Sequence, residues 1–394
     1  MSLRAADGLF RMPTHALVER IVMQLQLAGW NEDWAQLFSE QLNHREARDL
    51  QPARVLAQRR QSYSLWTAAG EAHAEVAGAF LYRATAGELP TVGDWVTVRQ
   101  YSPSDLAIIT AVLPRKTRFS RKVSGPVAEE QVIAANIDLL FIVCGLDHDY
   151  NLRRLERYLV AARQSGASAV IVLNKADLSS DVPARAAEVQ AIAAGMPVVA
   201  IAATSADAAA SLVPFIGPGK TAALVGSSGA GKSTIVNLLL GIAAQPTQPP
   251  RAFDGRGRHT TTHRELFFLV NGGMILDNPG IRELQLWSED FAPIYSSGSR
   301  HGPASAAIHR AFPEIEALAA GCAFRDCSHT AEPNCAVQAG LASGRVDPAR
   351  WRSYLKLLRE LRHSAVQLNQ NLRRTEKERW KKLCKEVKRN QKRR

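Results

Sequence analysis

Gly226-Ser-Ser-Gly-Ala-Gly-Lys-Ser-Thr234 follows the apolar run Ala222-Ala-Leu-Val225 and precedes Ile235-Val-Asn-Leu-Leu-Leu240. The pattern predicts a strand, a glycine-rich loop of the form G-x-x-x-x-G-K-[ST], and a helix. A loop of this kind turns its backbone N–H groups (Gly226, Ser227, Ser228, Gly229, Ala230, Gly231) around phosphate oxygens, and the helix N-terminus adds partial positive charge. Lys232 is placed to reach the outer phosphates. Ser233, followed by Thr234, is placed to ligate Mg²⁺.

Upstream the chain alternates strands and helices. Ile137-Asp-Leu-Leu-Phe-Ile-Val-Cys-Gly145 is a continuous apolar run, as in a strand buried on both faces. Asn151 caps an expected helix to about Ser165. Strand Ala169–Leu173, helix Pro183–Ala194 and strand Val198–Ala202 follow. This rhythm predicts a doubly wound parallel sheet, whose ligands bind at the carboxyl ends of the strands. Asn174-Lys175-Ala176-Asp177 lies at one such end. The Asp177 carboxylate can accept from N1–H and N2–H₂ of guanine, two donors that adenine lacks on that edge, and such paired contacts discriminate by roughly 10⁴-fold. Thr204-Ser205-Ala206, at the next strand end, either supplies backbone contacts to the guanine O6 or is ordinary loop.

Downstream, Pro246-Thr-Gln-Pro-Pro250 leads into Asp254-Gly-Arg-Gly-Arg-His-Thr-Thr-Thr262. This is a switch-like segment in which Thr261 can ligate Mg²⁺ while a γ-phosphate holds the loop closed. Strands Leu266–Val270 and Met274–Leu276 end in Asp277-Asn-Pro-Gly280. There Asp277 orients the metal through its water shell and Gly280 offers an N–H to the γ-phosphate. Asn174 precedes Gly226, the reverse of the ordinary order of these parts. A pocket depends on geometry rather than chain order, so joined termini and a new cut give the same site.

The flanks carry different chemistry. Between Ala53 and Arg118 short runs (Arg54–Ala57, Ala74–Leu81, Asp94–Val98, Asp105–Val112) suggest a small barrel, an OB-type barrel being one candidate. Arg115, Lys116, Arg118, Arg121 and Lys122 then form either a solvated linker or an RNA-facing edge. The first fifty residues read as two short helices, around Ala16–Leu27 and Trp34–Leu42, either packing on the next domain or binding a partner. Cys322-x₄-Cys327-x-His329-x₅-Cys335 offers three thiolates and an imidazole, a closed tetrahedral zinc shell and therefore a structural site.

The 394 residues exceed what one small core needs, and the 46% apolar content is ordinary for a globular protein. No uninterrupted apolar run approaches the roughly 18 residues that span a bilayer, so no membrane association is expected. Five cysteines, three of them in one Cys/His cluster, favour a metal and a reducing compartment over disulfides. The net charge is +12, yet Arg350–Arg394 alone holds 17 Lys/Arg against 4 Asp/Glu, leaving the remainder near neutrality. A basic tail of this kind, built on an amphipathic helix Trp351–Leu361, favours a polyanion, with binding that weakens steeply in salt.

In combination, the permuted motifs, the G-R-x-R-H-T-T-T segment, the preceding barrel and the following Cys/His cluster resemble the bacterial small ribosomal subunit biogenesis GTPase A family, over about residues 52–365. The first fifty residues and Ser296–Ser305 depart from its pattern. After the helical extension (1–50), which is read from the residues alone, the resemblance implies a multidomain α/β protein: an OB-fold barrel (51–122), a circularly permuted P-loop GTPase domain (123–290), and an α-helical zinc-binding domain with a basic C-terminal helix (291–394). It implies GTP and GDP as ligands with Mg²⁺, one structural Zn²⁺, and the 30S subunit with its 16S rRNA as partner late in maturation, for a cytoplasmic monomer. Ile281 stands where many GTPases carry a water-orienting glutamine. His259 is the substitute that the resemblance offers, a solvated loop histidine being the alternative. Slow hydrolysis alone, faster with the partner, is the expectation; a GTP-gated RNA-binding switch with little turnover is the alternative.

Overall fold

The computed structural model describes residues 23–43, 49–59, 62–85, 87–102, 104–122, 130–205, 207–243, 264–277, 303–324, 327–330 and 332–368. Ala206, His259, Thr261, Gly280 and Ile281 lie outside the described residues, as do most of the Ser296–Ser305 stretch and the tail beyond Leu368.

Five strands close a barrel: β1 (Leu50–Arg59), β2 (Ser62–Thr67), β3 (Gly70–Val76), β4 (Trp95–Arg99) and β5 (Ala107–Val112). β1 pairs antiparallel with β2 and β4, β2 with β3, and β4 with β5, while the parallel β3–β5 pair completes the ring. Closure removes exposed edges, and alternate side chains fill the interior. Val55, Leu65, Val96, Val98 and Ile109 are buried there. β2 was not anticipated, although Tyr63 and Leu65 alternate with Ser62 and Ser64. The expected run Ala74–Leu81 breaks after Val76, and Gly78–Arg83 is a helix. The Ala77 carbonyl accepts from the N–H groups of Phe80 and Leu81, both at 2.9 Å, turning the chain before β4.

The N-terminal extension packs on the barrel. Leu25, Ala28 and Trp34 share a core with Trp95 and Leu113. The Trp66 indole N–H donates to the Gln24 carbonyl at 2.8 Å, and the rings of Trp30 and Trp95 meet edge-on at 4.7 Å. Arg54, mid-strand and buried, ties three regions together. It donates to the Ala28 carbonyl, the Asn136 carbonyl (3.2 Å), the Gly93 carbonyl (3.3 Å) and Thr221 Oγ1 (2.7 Å). Burial pulls its pKa down to about 10, with the negative charges of Asp138 and Asp94 resisting.

The linker cations have structural work. Arg115 forks onto buried Asp94 with two 2.8 Å bonds, and Lys116 pairs with Asp33 at 2.6 Å over the Trp34 ring. Arg115 is thereby a partly buried structural residue rather than part of a solvated linker, while the Lys116–Asp33 pair lies at the surface. Arg118–Lys122 forms β6, which pairs with β7 (Glu130–Ala135) as a separate ribbon.

The second half of the large sheet runs β10-β9-β8-β11-β13-β12, from β8 (Leu139–Gly145), β9 (Ser168–Asn174), β10 (Val198–Ala200), β11 (Thr221–Gly226), β12 (Arg264–Phe268) and β13 (Met274–Asp277). The first five strands are parallel and β12 is antiparallel. β12 also pairs with the end of β1, at Ala57↔Glu265, so barrel and sheet share one hydrogen-bonded ladder. β8 shows why the run is apolar throughout. Leu140, Ile142 and Cys144 face helices Leu152–Ser165 and Val182–Ile192, whereas Leu139, Phe141 and Val143 face helices Ala208–Leu212 and Lys232–Ala243. The sheet is doubly wound, as the sequence predicts.

Helices Pro303–Ala311, Pro313–Ala319, Ala336–Ala342 and Pro348–Leu368 form the C-terminal region. Phe312, Ile315, Val337, Trp351 and Leu361 are its buried centre, continuous with one face of helix Leu152–Ser165. Charges fix that contact: Arg157 forks onto Glu360 (2.7 and 2.7 Å), Arg153 meets Asp347 (2.9 Å), and Arg350 meets fully buried Glu156 (3.0 Å). Breaking one partner of a buried pair strands the other charge, so this contact is specific as well as apolar. Among the described residues no helix is long and apolar enough to cross a membrane.

Candidate active site

Parallel register brings the strand ends into one row. Gly145 of β8 lies opposite Asn174 of β9, Gly226 of β11 opposite Val143 of β8, and Ala223 of β11 opposite Leu276 of β13, one residue before Asp277. The segments that are distant and reversed in sequence therefore meet at one edge.

Asn174 is the contact between them. Its buried Nδ2 donates to the Ala230 carbonyl of the glycine-rich loop at 2.9 Å, and its Oδ1 accepts from the Ala203 N–H at 3.0 Å. Both ends of this amide bond within the protein, so Asn174 staples three loops together. Asp177, in the short 3₁₀ turn Ala176–Leu178, is exposed, and so is Ser205 beside it; the Ala176 N–H donates to the Ile201 carbonyl at 3.0 Å. Lys175 takes a left-handed backbone conformation (φ 62°), and its ammonium pairs with Asp147 at 2.6 Å.

The glycines fit a close-packed cradle. A Cβ on Gly231 (φ 97°) would stand 2.1 Å from Asn174 Nδ2, and one on Gly226 would stand 2.3 Å from the Val143 carbonyl oxygen. Only glycine lets the loop approach β8 and β9 this closely. Ser228, Gly229, Ser233 and Thr234 are exposed on the loop, while Ser227 and Ala230 are buried. The Lys232 ammonium donates to the carbonyls of Gly226 (2.8 Å) and Ser227 (2.5 Å), so the cation is held at the loop. Burial pushes the Asp277 carboxyl above its usual range, and the nearby Lys232 charge opposes that rise. The D-x-x-G aspartate and the cradle lysine thus share one site.

Sequence reasoning missed Asp147 and Asp149, in the turn Leu146-Asp-His-Asp-Tyr150 after β8. Asp149 accepts from the Ser227 hydroxyl and pairs with Arg154 at 2.5 Å. A signal existed, because this turn also follows the carboxyl end of a parallel strand, where such sheets place ligands.

A second cluster lies in the C-terminal region. Cys322, Cys327, His329 and Cys335 bring four ligand atoms within 4.8 Å of one another. Cys322 Sγ and Cys335 Sγ are 3.9 Å apart, and His329 Nδ1 lies 3.5 and 3.4 Å from them. Bonds of about 2.3 Å to sulfur and 2.0 Å to nitrogen at a tetrahedral centre put ligand atoms about 3.5–3.8 Å apart, so the set fits zinc. The Ser328 hydroxyl and N–H hold the Glu332 carboxyl down to about 2, bracing the turn that carries His329.

A glycine-rich G-x-x-x-x-G-K-S loop, an N-K-x-D loop that precedes it in sequence and is stapled to it by Asn174, and a doubly wound sheet define a circularly permuted P-loop fold. The sequence matches the RsgA GTPase family over residues 112–287. It is 45% identical over 371 residues (92% of this chain, 96% of the relative) to the small ribosomal subunit biogenesis GTPase RsgA of Opitutus terrae. It is 42% identical over 353 residues (88% and 92%) to the protein of the same name from Syntrophotalea carbinolica. In fold it is similar to YjeQ from Thermotoga maritima (TM-score 0.57, 22% identity, covering 79% of this chain and 98% of that one). It is likewise similar to YloQ, described as a circularly permuted GTPase (TM-score 0.54, 21% identity, 81% and 98%). The chain belongs to the RsgA family of GTPases.

Proposed function

We propose that this GTPase binds one GTP across the two stapled loops and hydrolyses it on the small ribosomal subunit during late maturation, driving its own release. Asp177 reads guanine, Lys175 and the Ser205-Ala206 turn flank it, and Gly226–Thr234 holds the phosphates. Asn174 holds the base loop against the cradle. The observation that carries this reading is the pair of hydrogen bonds from Asn174 to Ala230 and Ala203.

Mg²⁺ belongs at Ser233, with Thr261 as its switch ligand and Asp277 behind its water shell; Gly280 contacts the γ-phosphate. Ile281 has no group that can orient the attacking water, and for that role we propose His259, the residue that the family resemblance offers. The zinc set is Cys322, Cys327, His329 and Cys335. We propose the division 1–50, 51–122, 123–290 and 291–394, for a cytoplasmic monomer that meets 16S rRNA through the barrel, the zinc region and the basic tail. The subunit as partner is supported by the names of the relatives and by the charge concentrated after Arg350.

The test is GTP turnover with and without purified 30S subunits, and with ATP in place of GTP. Turnover is expected to be slow alone, at least tenfold faster with 30S, and absent with ATP. Robust turnover that 30S leaves unchanged contradicts the proposal.

A further inference from the structure

The turn between β8 and helix Leu152–Ser165 belongs to none of the nucleotide motifs, yet it reaches the cradle. One oxygen of Asp149 pairs with Arg154 at 2.5 Å, and Arg154 also donates to the Asp149 backbone carbonyl. The other oxygen accepts from the hydroxyl of Ser227, the buried second residue of the loop. Arg154 is in turn fixed at the start of its helix, where the Asn151 side chain accepts from its N–H at 3.1 Å. The Asp149 side chain is 15% exposed and that of Arg154 35%, so the carboxylate is turned away from solvent while its partner is half-buried.

We infer that Asp149 is a positioning residue for GTP binding: it holds Ser227, and through it the phosphate loop, in the shape that receives the triphosphate. This rests on Gly226–Thr234 being that cradle. A loop with glycines at positions 226, 229 and 231, all at positive φ, loses much conformational entropy when it orders. At present Lys232 restrains it by donating to the Gly226 and Ser227 carbonyls. When a triphosphate arrives the ammonium must turn to it, and those restraints go. The Ser227–Asp149 bond is independent of Lys232 and remains. Arg154 neutralises the carboxylate, so the arrangement sets no bare negative charge beside the phosphates. The sequence alone conceals this, because Asp149 and Ser227 are 78 residues apart.

The experiment is GTP and GDP titration by a fluorescent analogue, with steady-state hydrolysis, on the full chain and on D149A, D149N, S227A and the D149A/S227A double variant, with a thermal melt of each. D149A and S227A are each expected to raise the GTP Kd and KM about tenfold, equivalent to about 1.4 kcal/mol. kcat at saturation stays within about threefold, since a pre-shaped loop acts on binding rather than on the chemical step. D149N keeps an acceptor for Ser227 and recovers most of the affinity. The double variant is no weaker than either single one, because both remove the same bond. Unchanged affinity in D149A, or single effects that multiply in the double variant, overturns the inference. Should D149A fail to fold, S227A decides it: wild-type affinity there overturns the inference equally. If the wild-type chain binds no guanine nucleotide, the reading of the cradle itself has failed, a result separate from any of these.

Discussion

Lys232→Ala is expected to lower GTP turnover by about 10³-fold, the scale on which removing a preorganised charge at a transferring phosphoryl group acts. The lysine sits where loop, helix N-terminus and Asp277 converge, and its ammonium is held 2.8 and 2.5 Å from two loop carbonyls. Among the described residues of the site, Lys175 is engaged by Asp147 and Arg154 by Asp149. The loss should appear mostly in kcat, since negative charge on the transferring group grows toward the transition state. Melting temperature should change little, because the hydrogen bonds that the Lys232 ammonium donates to the Gly226 and Ser227 carbonyls lie within one loop. Turnover within a few-fold of wild type removes Lys232 from the chemistry and requires another cation to bind the phosphates.

Removing zinc is expected to unfold the C-terminal region while leaving the nucleotide site able to bind. Structural zinc sites contribute apparent binding free energies of about 10–16 kcal/mol that are folding energy as well. Here the ligands come from turns rather than from one long element: Cys322 follows helix Pro313–Ala319, His329 has a left-handed backbone (φ 58°), and Cys335 caps helix Ala336–Ala342. Local hydrogen bonds from Ser328 and Thr330 to Glu332 brace the His329 turn, and the metal would tie the three turns to one another. Chelation, or C322S with C335S, should release about one zinc per chain and abolish hydrogen-exchange protection in helix Pro348–Leu368. β8, β9 and β11 should keep theirs, since helix Leu152–Ser165 stands between one of their faces and the C-terminal helices, and the other face packs on Ala208–Leu212 and Lys232–Ala243. Full retention of C-terminal protection after metal loss shows that the apolar cluster around Phe312 and Trp351 suffices without it.

Most of the sheet was legible because β8, β9, β11 and β13 are largely apolar runs, whereas β12 opens on Arg264-Glu265 and the short helix Ala208–Leu212 has no side-chain cap. Asn151 and Gly166 bracket one helix as their side chain and left-handed backbone dictate. The cysteine spacing likewise reveals a cluster that the fold gathers. The barrel was harder. β2 carries as many hydroxyls as apolar side chains, and Ala74–Leu81 reads as one apolar run although it changes from strand to helix at Ala77. Pairing across the chain was not readable at all. Arg115 looked like part of a basic cluster, and only the fold brings Asp94 to it. The motif places Asn174 at the nucleotide, and only the fold shows that its amide also bonds Ala203 and Ala230. Asp149 carries no motif, and its partner Ser227 lies on a different strand end.

The central claim is that the loop ending in Asp177 and the loop carrying Lys232 hold the two ends of one nucleotide. Xanthine replaces the guanine N2–H₂ donors with a carbonyl, so Asp177→Asn, which exchanges an acceptor for a donor, should change the base without touching the phosphates. The measurement is kcat/KM of D177N for GTP and for XTP. A loss of about a hundredfold is expected with GTP and a comparable gain with XTP, each about 2.7 kcal/mol, with hydrolysis of either still abolished by K232A. Wild-type kcat/KM for GTP in D177N, with no gain for XTP, would contradict it.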